Sequence, residues 1–589
     1  MDNKALAHKL DAFRRVSGVL SPGVGGGDVP VTLTEGQRIL ALPTWDEEAF
    51  KLDLTEKYRK PGGTQHLFPI QSKVLHFAEE GSGVLGHVGV GGGKTLLSLL
   101  LPVALKAQRP VVILPAPLVE NFHRELRKFR LHWNVHERIR VITFSKLSIA
   151  SGAQLLDSLG PDLIIIDEAH NLARPDSART KRFLRYCRNF PNTTIIPMSG
   201  TMTKRSLRDY AHLAELALRQ GAPVPLNSKD LITWGACIDA DGKPKRSDFA
   251  NFCEFLPSGR QNMDDDVLVE EGRDTFKKRL RSTRGVVCSS ESAVNNSLVF
   301  TERPLQVPSP VRQALADLDA TWCRPDGEEL ESALAKAAVE AQFACGFYYR
   351  WKWPQGKVDV EWMKARAAWH KAIRDILKHD NPEYDSPLRV AQAIHRGKIT
   401  HAGTLQAYEG WGKVRDRPPP PTETVWLDGY MVEDAVAWGI ERLDEGVPGI
   451  IWYEHTAVGQ ALAAKGIPTY GRGVEVPVDG TAPLVAASIR VHGTGKNLQH
   501  GFAKNLVLSM PAMGATVEQL VARTHRPLQK SDEVTFDYYA HTRQARLAIK
   551  RAYRDAVYQE ASHGMKQKLL LATWANPSWM TEKDEDGKD

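Results

Sequence analysis

The chain has 589 residues, 42% hydrophobic and 25% charged, with a formal net charge of +7. This composition excludes a disordered chain and a membrane-embedded one: it supplies apolar material for about four units of roughly 150 residues, and no apolar run reaches the ~18 residues of a membrane span. The opening stretch MDNKALAHKLDAFRR is charged throughout and has no apolar signal core, and the six scattered cysteines form no C-x-x-C pair, so a reducing, cytoplasmic compartment is expected.

Residues 1–16 predict a short amphipathic helix, and SPGVGGGDVP (21–30) reads as a linker, so 1–60 is taken as an N-terminal arm. From 61 to about 205, short apolar runs alternate with helical patterns. The runs are VLGHV, VVILPA (111–116), VITFS (141–145), LIIIDEAH (163–170) and TTIIPMSG (193–200). They are apolar throughout rather than alternating, as expected of parallel strands buried on both faces. Residues 205–285 predict mainly helix and end in the basic run KKRLRSTR (277–284), either a nucleic-acid track or the solvated face of a linking helix. SLVFTERPLQV (297–307) reads as a strand. A mostly helical, tryptophan-rich segment spans 310–425. The β/α alternation then returns with GIIWY (449–453), PLVAASI (483–489), NLVLSM (505–510) and EVTFDYY (533–539), and 543–571 predicts a long final helix before an acidic tail, 572–589. The chain thus divides into a first α/β lobe with a helical extension (61–285), the start of a second lobe (286–309), an insertion (310–425) and the rest of the second lobe (426–571).

Two motifs carry chemistry. GHVGVGGGKTLLSLL (86–100) lies between a predicted strand and a predicted helix, the context of a phosphate-binding loop. Glycines such as Gly91, Gly92 and Gly93 let several backbone N–H groups converge on one phosphate, aided by the helix N-terminus. Lys94 is placed to reach the β/γ-phosphates and Thr95 to hold Mg²⁺, although Val88 stands where the first glycine of the pattern belongs. In LIIIDEAHNL the strand delivers Asp167 and Glu168 to its C-terminal end, where open parallel sheets bind ligands. Asp167 suits Mg²⁺ coordination through water, and Glu168 suits activation of the attacking water. The pair predicts hydrolysis of ATP.

The order of the remaining motifs resembles superfamily 2 helicases and translocases. DEAH (167–170) is similar to their second motif, LFPIQ (67–71) to the segment whose glutamine reads adenine, here Gln71, and SGT (199–201) to the segment coupling hydrolysis to movement, here Ser199 and Thr201. LPAPLVENFHREL (114–126) and TFSKLS (143–148) resemble the motifs that track strand phosphates, GTGKNLQ (493–499) resembles the fifth motif, and QLVARTHRPLQ (519–529) resembles the sixth. The last two are similar to the Swi/Snf-type pattern, and the whole resembles compact helicases of this type carried by bacteriophages, over about 61–300 and 440–570.

The resemblance implies two RecA-like parallel-sheet lobes in tandem, with a mostly helical insertion in the second. It implies Lys94, Asp167, Glu168, Arg523 and Arg526 as catalytic residues, Gln519 as a coupling residue, and Ser145, Lys146, Thr494 and Asn497 as phosphate contacts. Met202, where remodellers usually have proline, changes little about ATP. The absence of a chromatin-reading module argues against a nucleosome substrate. The expected partner is duplex or branched DNA, bound without sequence preference, together with replication or recombination proteins, in the host cytoplasm if the chain is phage-encoded. RNA as substrate, or an ATP-gated DNA-binding scaffold, stays open. FYYRWKWP (347–354) reads either as an aromatic and basic surface for unpaired bases or, with Trp362 and Trp369, as core.

Overall fold

A computed structural model of the chain describes residues 33–581 except 48, 82, 90, 150, 151, 153, 174, 176, 204, 258–263, 290–295, 327–329, 331, 332, 379–386, 479, 480 and 576. The predicted helix 1–16, the linker 21–30 and the acidic end of the tail lie outside the described residues. The described residues form two compact units, one lying within 1–291 and 557–567, the other within 292–556 and 568–589.

In the first unit six strands, β1 (Leu85–His87), β2 (Pro110–Leu114), β3 (Arg140–Thr143), β4 (Leu163–Asp167), β5 (Thr194–Met198) and β6 (Val286–Cys288), form one sheet in the order β3-β2-β4-β5-β1-β6. Every pairing is parallel. The continuous apolar runs follow from this, because both faces are covered. Val112, Leu114, Leu163 and Ile165 pack on one side with Leu97 and Leu100 of the helix Lys94–Ala104. Val111, Ile113, Ile164 and Ile166 pack on the other with Phe183 of the helix Ala178–Asn189. Strand order also places the chemistry. β5 lies between β1 and β4, so the residues following these three strands share one edge of the sheet.

The expected start of the second lobe at 286 is corrected: Val286–Cys288 pairs with β1 in the first sheet, Leu85 opposite Val286. The basic run makes contacts within the first unit. Arg279 is buried and donates to the carbonyls of Ile39 and Leu42, Arg281 bonds Glu47 and the Gly564 carbonyl, Lys277 and Lys278 meet Asp274, and Arg284 meets Glu80.

In the second unit β7 (Ser297–Glu302) is followed by helices and by β8 (Phe347–Trp351) and β9 (Thr422–Trp426), an antiparallel pair. Thus FYYRW is a strand, not helix. Then come β10 (Gly449–Tyr453), β11 (Thr469–Tyr470), β12 (Leu484–Ser488), β13 (Lys504–Val507), β14 (Glu533–Tyr538) and β15 (Thr573–Ala575). These strands and β7 make a parallel sheet in the order β11-β12-β10-β13-β14-β7-β15. The long helix expected over 543–571 is broken into Arg543–His563 and Lys568–Leu571, and the strand Thr573–Ala575 and the helix Ser578–Thr581 that follow are not tail. Trp574 stacks on Phe300 at 4.4 Å, and buried Trp579 donates its indole N–H to the Tyr538 hydroxyl at 3.1 Å. Two parallel α/β sheets of this kind are consistent with two RecA-like lobes.

Between β7 and β9 lie the α-helices Ser309–Thr321, Ala333–Ala344, Val360–Lys378, Pro387–His395 and Ala402–Val414. Trp369, Ile373 and Val390 share a small separate core there.

Candidate active site

β1 runs into the glycine loop, and the loop's sequence follows from its crowding. Gly91 and Gly93 have φ of +92° and +74°, values that side chains disfavour. A Cβ on Gly93 would fall 2.1 Å from Gln71 Nε2, and one on Gly92 would fall 2.7 Å from Val88 Cγ1. The departure at Val88 is thereby explained: its side chain is buried in the core, and its carbonyl accepts from Lys94 Nζ at 3.2 Å. The Gly89 N–H donates to Ser289 Oγ at 2.9 Å, a partner far away in sequence. Gln71 is held against this loop. Its Oε1 accepts from the Phe68 N–H at 2.8 Å and its Nε2 donates to the Gly93 carbonyl at 3.3 Å. The neighbouring Phe68 is half exposed, a flat apolar surface that the sequence reading passed over.

β4 brings the acidic pair to the same edge. Lys94 Nζ lies 3.3 Å from Glu168 Oε1, and both side chains are largely buried. Glu168 takes a left-handed backbone, φ +61°, which is uncommon for a residue with a side chain. Its Oε2 lies 3.3 Å from His170 Nδ1 and accepts from Ser199 Oγ at 3.4 Å. His170 Nδ1 and Ser199 Oγ are 3.0 Å apart, and the Thr201 N–H donates to Ser199 Oγ at 3.1 Å. A continuous polar chain therefore runs from Lys94 through Glu168 and His170 to Ser199 and Thr201 after β5. Of these, His170 is a link whose role only its contacts reveal.

The electrostatics separate the two acids. Burial raises the Asp167 carboxyl, and the charge of Lys94 opposes that in part. Burial also works against Glu168, but Lys94 and the His170 contact hold it well below the usual carboxylate range. Asp167 is 6% exposed, and its Oδ1 has no hydrogen-bond partner among the described residues. An orphaned carboxylate oxygen on Asp167 and the hydroxyl of Thr95, which directly follows Lys94 and is half-buried, are donors that suit a Mg²⁺ ion, which takes one or two protein oxygens and completes its shell with phosphate and water. Among the described residues no cluster of three His, Cys, Asp or Glu side chains would hold a metal alone.

Ser145 and Lys146 are exposed on the short helix Phe144–Ser148, which Thr143 caps by accepting from the Lys146 N–H at 3.3 Å. Buried Arg182 donates to the Leu147 and Ile149 carbonyls at the other end of this helix. No sequence signal marked that arginine.

In the second unit, Gln519 is buried on the helix Gly514–Val521. Arg523 donates to the Gln519 carbonyl at 2.7 Å and to the Lys496 carbonyl at 3.1 Å. Arg526 donates to Asn497 Oδ1. Thus Asn497, expected on nucleic acid, is engaged with an expected catalytic arginine, while Thr494 lies half-buried in the adjoining turn.

Residues 68–210 match the family model described as DEAD/DEAH box helicase. The match spans the glycine loop, the Asp167–Glu168 pair and the Ser199–Thr201 turn. No curated protein matches the chain. Residues 68–210 therefore carry a DEAD/DEAH box helicase domain, which implies ATP hydrolysis of the superfamily 2, nucleic-acid-dependent kind; helicases of this family use ATP with a divalent metal, generally Mg²⁺.

Proposed function

We propose that this chain is a DNA-stimulated ATPase of Swi/Snf-like type that moves along duplex or branched DNA without sequence preference, in phage replication, recombination or repair. The observation that carries the reading is the polar chain from Lys94 to Thr201. A site that only bound ATP would need the phosphate cradle; it would not need the activating carboxylate tied to the turn after a third strand. Bound Mg²⁺ would supply charge neutralisation on the β/γ-phosphates, held by Thr95 and Asp167.

In this reading the backbone of Gly91–Gly93 and the ammonium of Lys94 orient the phosphates. Glu168, kept ionised, takes the proton of the attacking water. When Lys94 turns from Glu168 to phosphate, the carboxylate keeps its contacts to His170 and Ser199, which report the change to Thr201. Arg523 and Arg526 serve the charge that develops on the transferred phosphoryl group. Ser145, Lys146, Thr494 and Asn497 contact strand phosphates, which fix position without reading bases. In this reading the chain's place is the cytoplasm, that of the host if the chain is phage-encoded. Among the described residues no helix is long and apolar enough to cross a membrane.

The test is the ATPase rate of the full chain against single-stranded, duplex and forked DNA and against RNA. The reading expects duplex or forked DNA to stimulate most. Stronger stimulation by RNA overturns the choice of DNA, and no stimulation by any of them overturns the motor.

A further inference from the structure

The segment between β7 and β10 carries a cluster of four indoles that the ATPase chemistry does not use. Trp351, at the end of β8, lies edge-on to Trp362 with ring centroids 5.9 Å apart. Trp353 lies 6.1 Å from Trp362 and 6.5 Å from Trp351, and Trp411 lies 6.2 Å from Trp362. Trp351, Trp353 and Trp411 are only half-buried, so the group is not a closed core; the core of these helices lies around Trp369 and Val390.

Two hydrogen-bonding groups are unspent at this cluster. Arg366 sits over the rings of Trp351 and Trp362, 5.7 and 5.5 Å from their centroids. It has no ion pair or hydrogen bond among the described residues. Trp362 is 4% exposed, and its indole N–H has no partner among them either. A buried indole donor left unpaired is costly, so it points to an acceptor that is absent from the free chain. The carboxylates on the same segments are already engaged: Glu423 with Arg350, and Asp359 and Glu361 with Arg417. Between 347 and 417 fourteen Lys and Arg residues stand against eight Asp and Glu, and Lys352, between the first two indoles, is exposed.

Flat, half-buried rings, a guanidinium that lies over two of them with its donors unspent, and a surplus of positive charge match one chemistry. Unpaired bases stack on aromatic rings, and their phosphates take charge-assisted hydrogen bonds. We propose that Trp351, Trp353, Trp362 and Arg366 form a binding platform for an unpaired polynucleotide strand, distinct from the phosphate contacts of the motor. The platform holds bases by stacking on Trp351 and Trp353 and a phosphate by Arg366. It rests on the reading that the chain works on nucleic acid, and it names the structure preferred, a junction or fork with a single-stranded arm.

The test measures binding of a fluorescently labelled oligothymidylate, an oligouridylate and a blunt duplex to the full chain. Trp351→Ala with Trp353→Ala is expected to weaken single-strand binding by about tenfold to a hundredfold and to leave duplex binding and duplex-stimulated ATPase unchanged. Trp351→Phe with Trp353→Phe should restore most of the affinity, because the stack survives. Arg366→Gln should weaken single-strand binding on its own and make it less salt-sensitive. If the alanine pair fails to fold, Arg366→Gln and photocrosslinking of a bromodeoxyuridine strand to the 347–366 peptide decide the matter. Unchanged single-strand affinity, an equal loss on duplex, or crosslinks only elsewhere overturn the platform. Each of those results leaves the motor reading standing so long as duplex still stimulates hydrolysis.

Discussion

Lys94→Met tests the electrostatic design of the nucleotide site without any nucleotide present. Lys94 Nζ lies 3.3 Å from Glu168 Oε1, with the two side chains 10% and 14% exposed. At that spacing and an effective dielectric of about 20 the attraction is about 5 kcal/mol, before desolvation is set against it. Removing one partner of a buried pair costs about 3–5 kcal/mol, because the other charge is left uncompensated. Here Asp167 adjoins Glu168, so the variant leaves two buried carboxylates together. One of them takes up a proton, which limits the loss to the lower end, about 3 kcal/mol. Glu168→Gln alone leaves Lys94 with Asp167 as counter-ion and costs about 1 kcal/mol. The double variant should then cost about 2 kcal/mol rather than the sum, a coupling of about 2 kcal/mol. A chain of two units need not unfold in one step, so the assay is native-state hydrogen exchange of peptides covering 85–114 and 163–167. All three variants should hydrolyse ATP at least about 100-fold more slowly than the parent, including the double variant whose stability is regained. Additive stability effects, within about 0.5 kcal/mol, would refute the pair.

Ser199→Ala should remove the hydroxyl shared by Glu168, His170 and the Thr201 N–H; basal hydrolysis is expected to fall only several-fold while stimulation by nucleic acid is lost, and equal loss of both rates would count against a coupling role. Arg526→Ala should keep ATP affinity near that of the parent but lower stimulated turnover by on the order of 10³, as read by nucleotide binding and steady-state rates on the same samples. His87 is buried at the end of β1, and burial with the nearby charge of Arg281 lowers its pKa to about 4, from an ordinary 6.5. The folded state thus binds fewer protons than the unfolded one between those values. The contribution of His87 to stability is constant above pH 6.5, falls as pH drops below it, and levels off below about 4, with a slope of up to about 1.4 kcal/mol per pH unit. His87→Gln should flatten that slope in melting curves taken from pH 7 to 5, and an unchanged slope would show that the group does not titrate as argued.

What the sequence disclosed and what it hid divide along physical lines. The strands β2 and β4 were legible because parallel strands covered on both faces must be apolar at every position, as Val111–Leu114 and Leu163–Ile166 are. The phosphate loop was legible because its glycines are forced by local φ and by close approach. β6 was assigned to the wrong lobe because Val286–Cys288 is short and apolar, and only its long-range pairing with β1 decides its sheet. The segment 573–581 passed for tail because the acidic run after it dominates the composition; Trp574 and Trp579 were the overlooked signals. FYYRW was read with its helical neighbours although it is aromatic-rich, as strands often are. Arg182 and the joining of Asn497 to Arg526 were invisible, because hydrogen bonds to carbonyls and amides across distant segments leave no periodicity behind. Likewise, Arg279 and Arg281 look like a basic track in one dimension and are consumed by carbonyls and Glu47 in three.

The central claim is that the Lys94–Glu168 site turns over ATP in response to a nucleic acid track. It is tested most directly by steady-state hydrolysis, with and without duplex DNA, for the parent chain and for Glu168→Gln. The account predicts that DNA accelerates the parent, and that the variant still binds ATP and DNA yet hydrolyses at least about 100-fold more slowly under both conditions. Turnover in the variant at the parent's rate, or a parent rate indifferent to every polynucleotide offered, would contradict it.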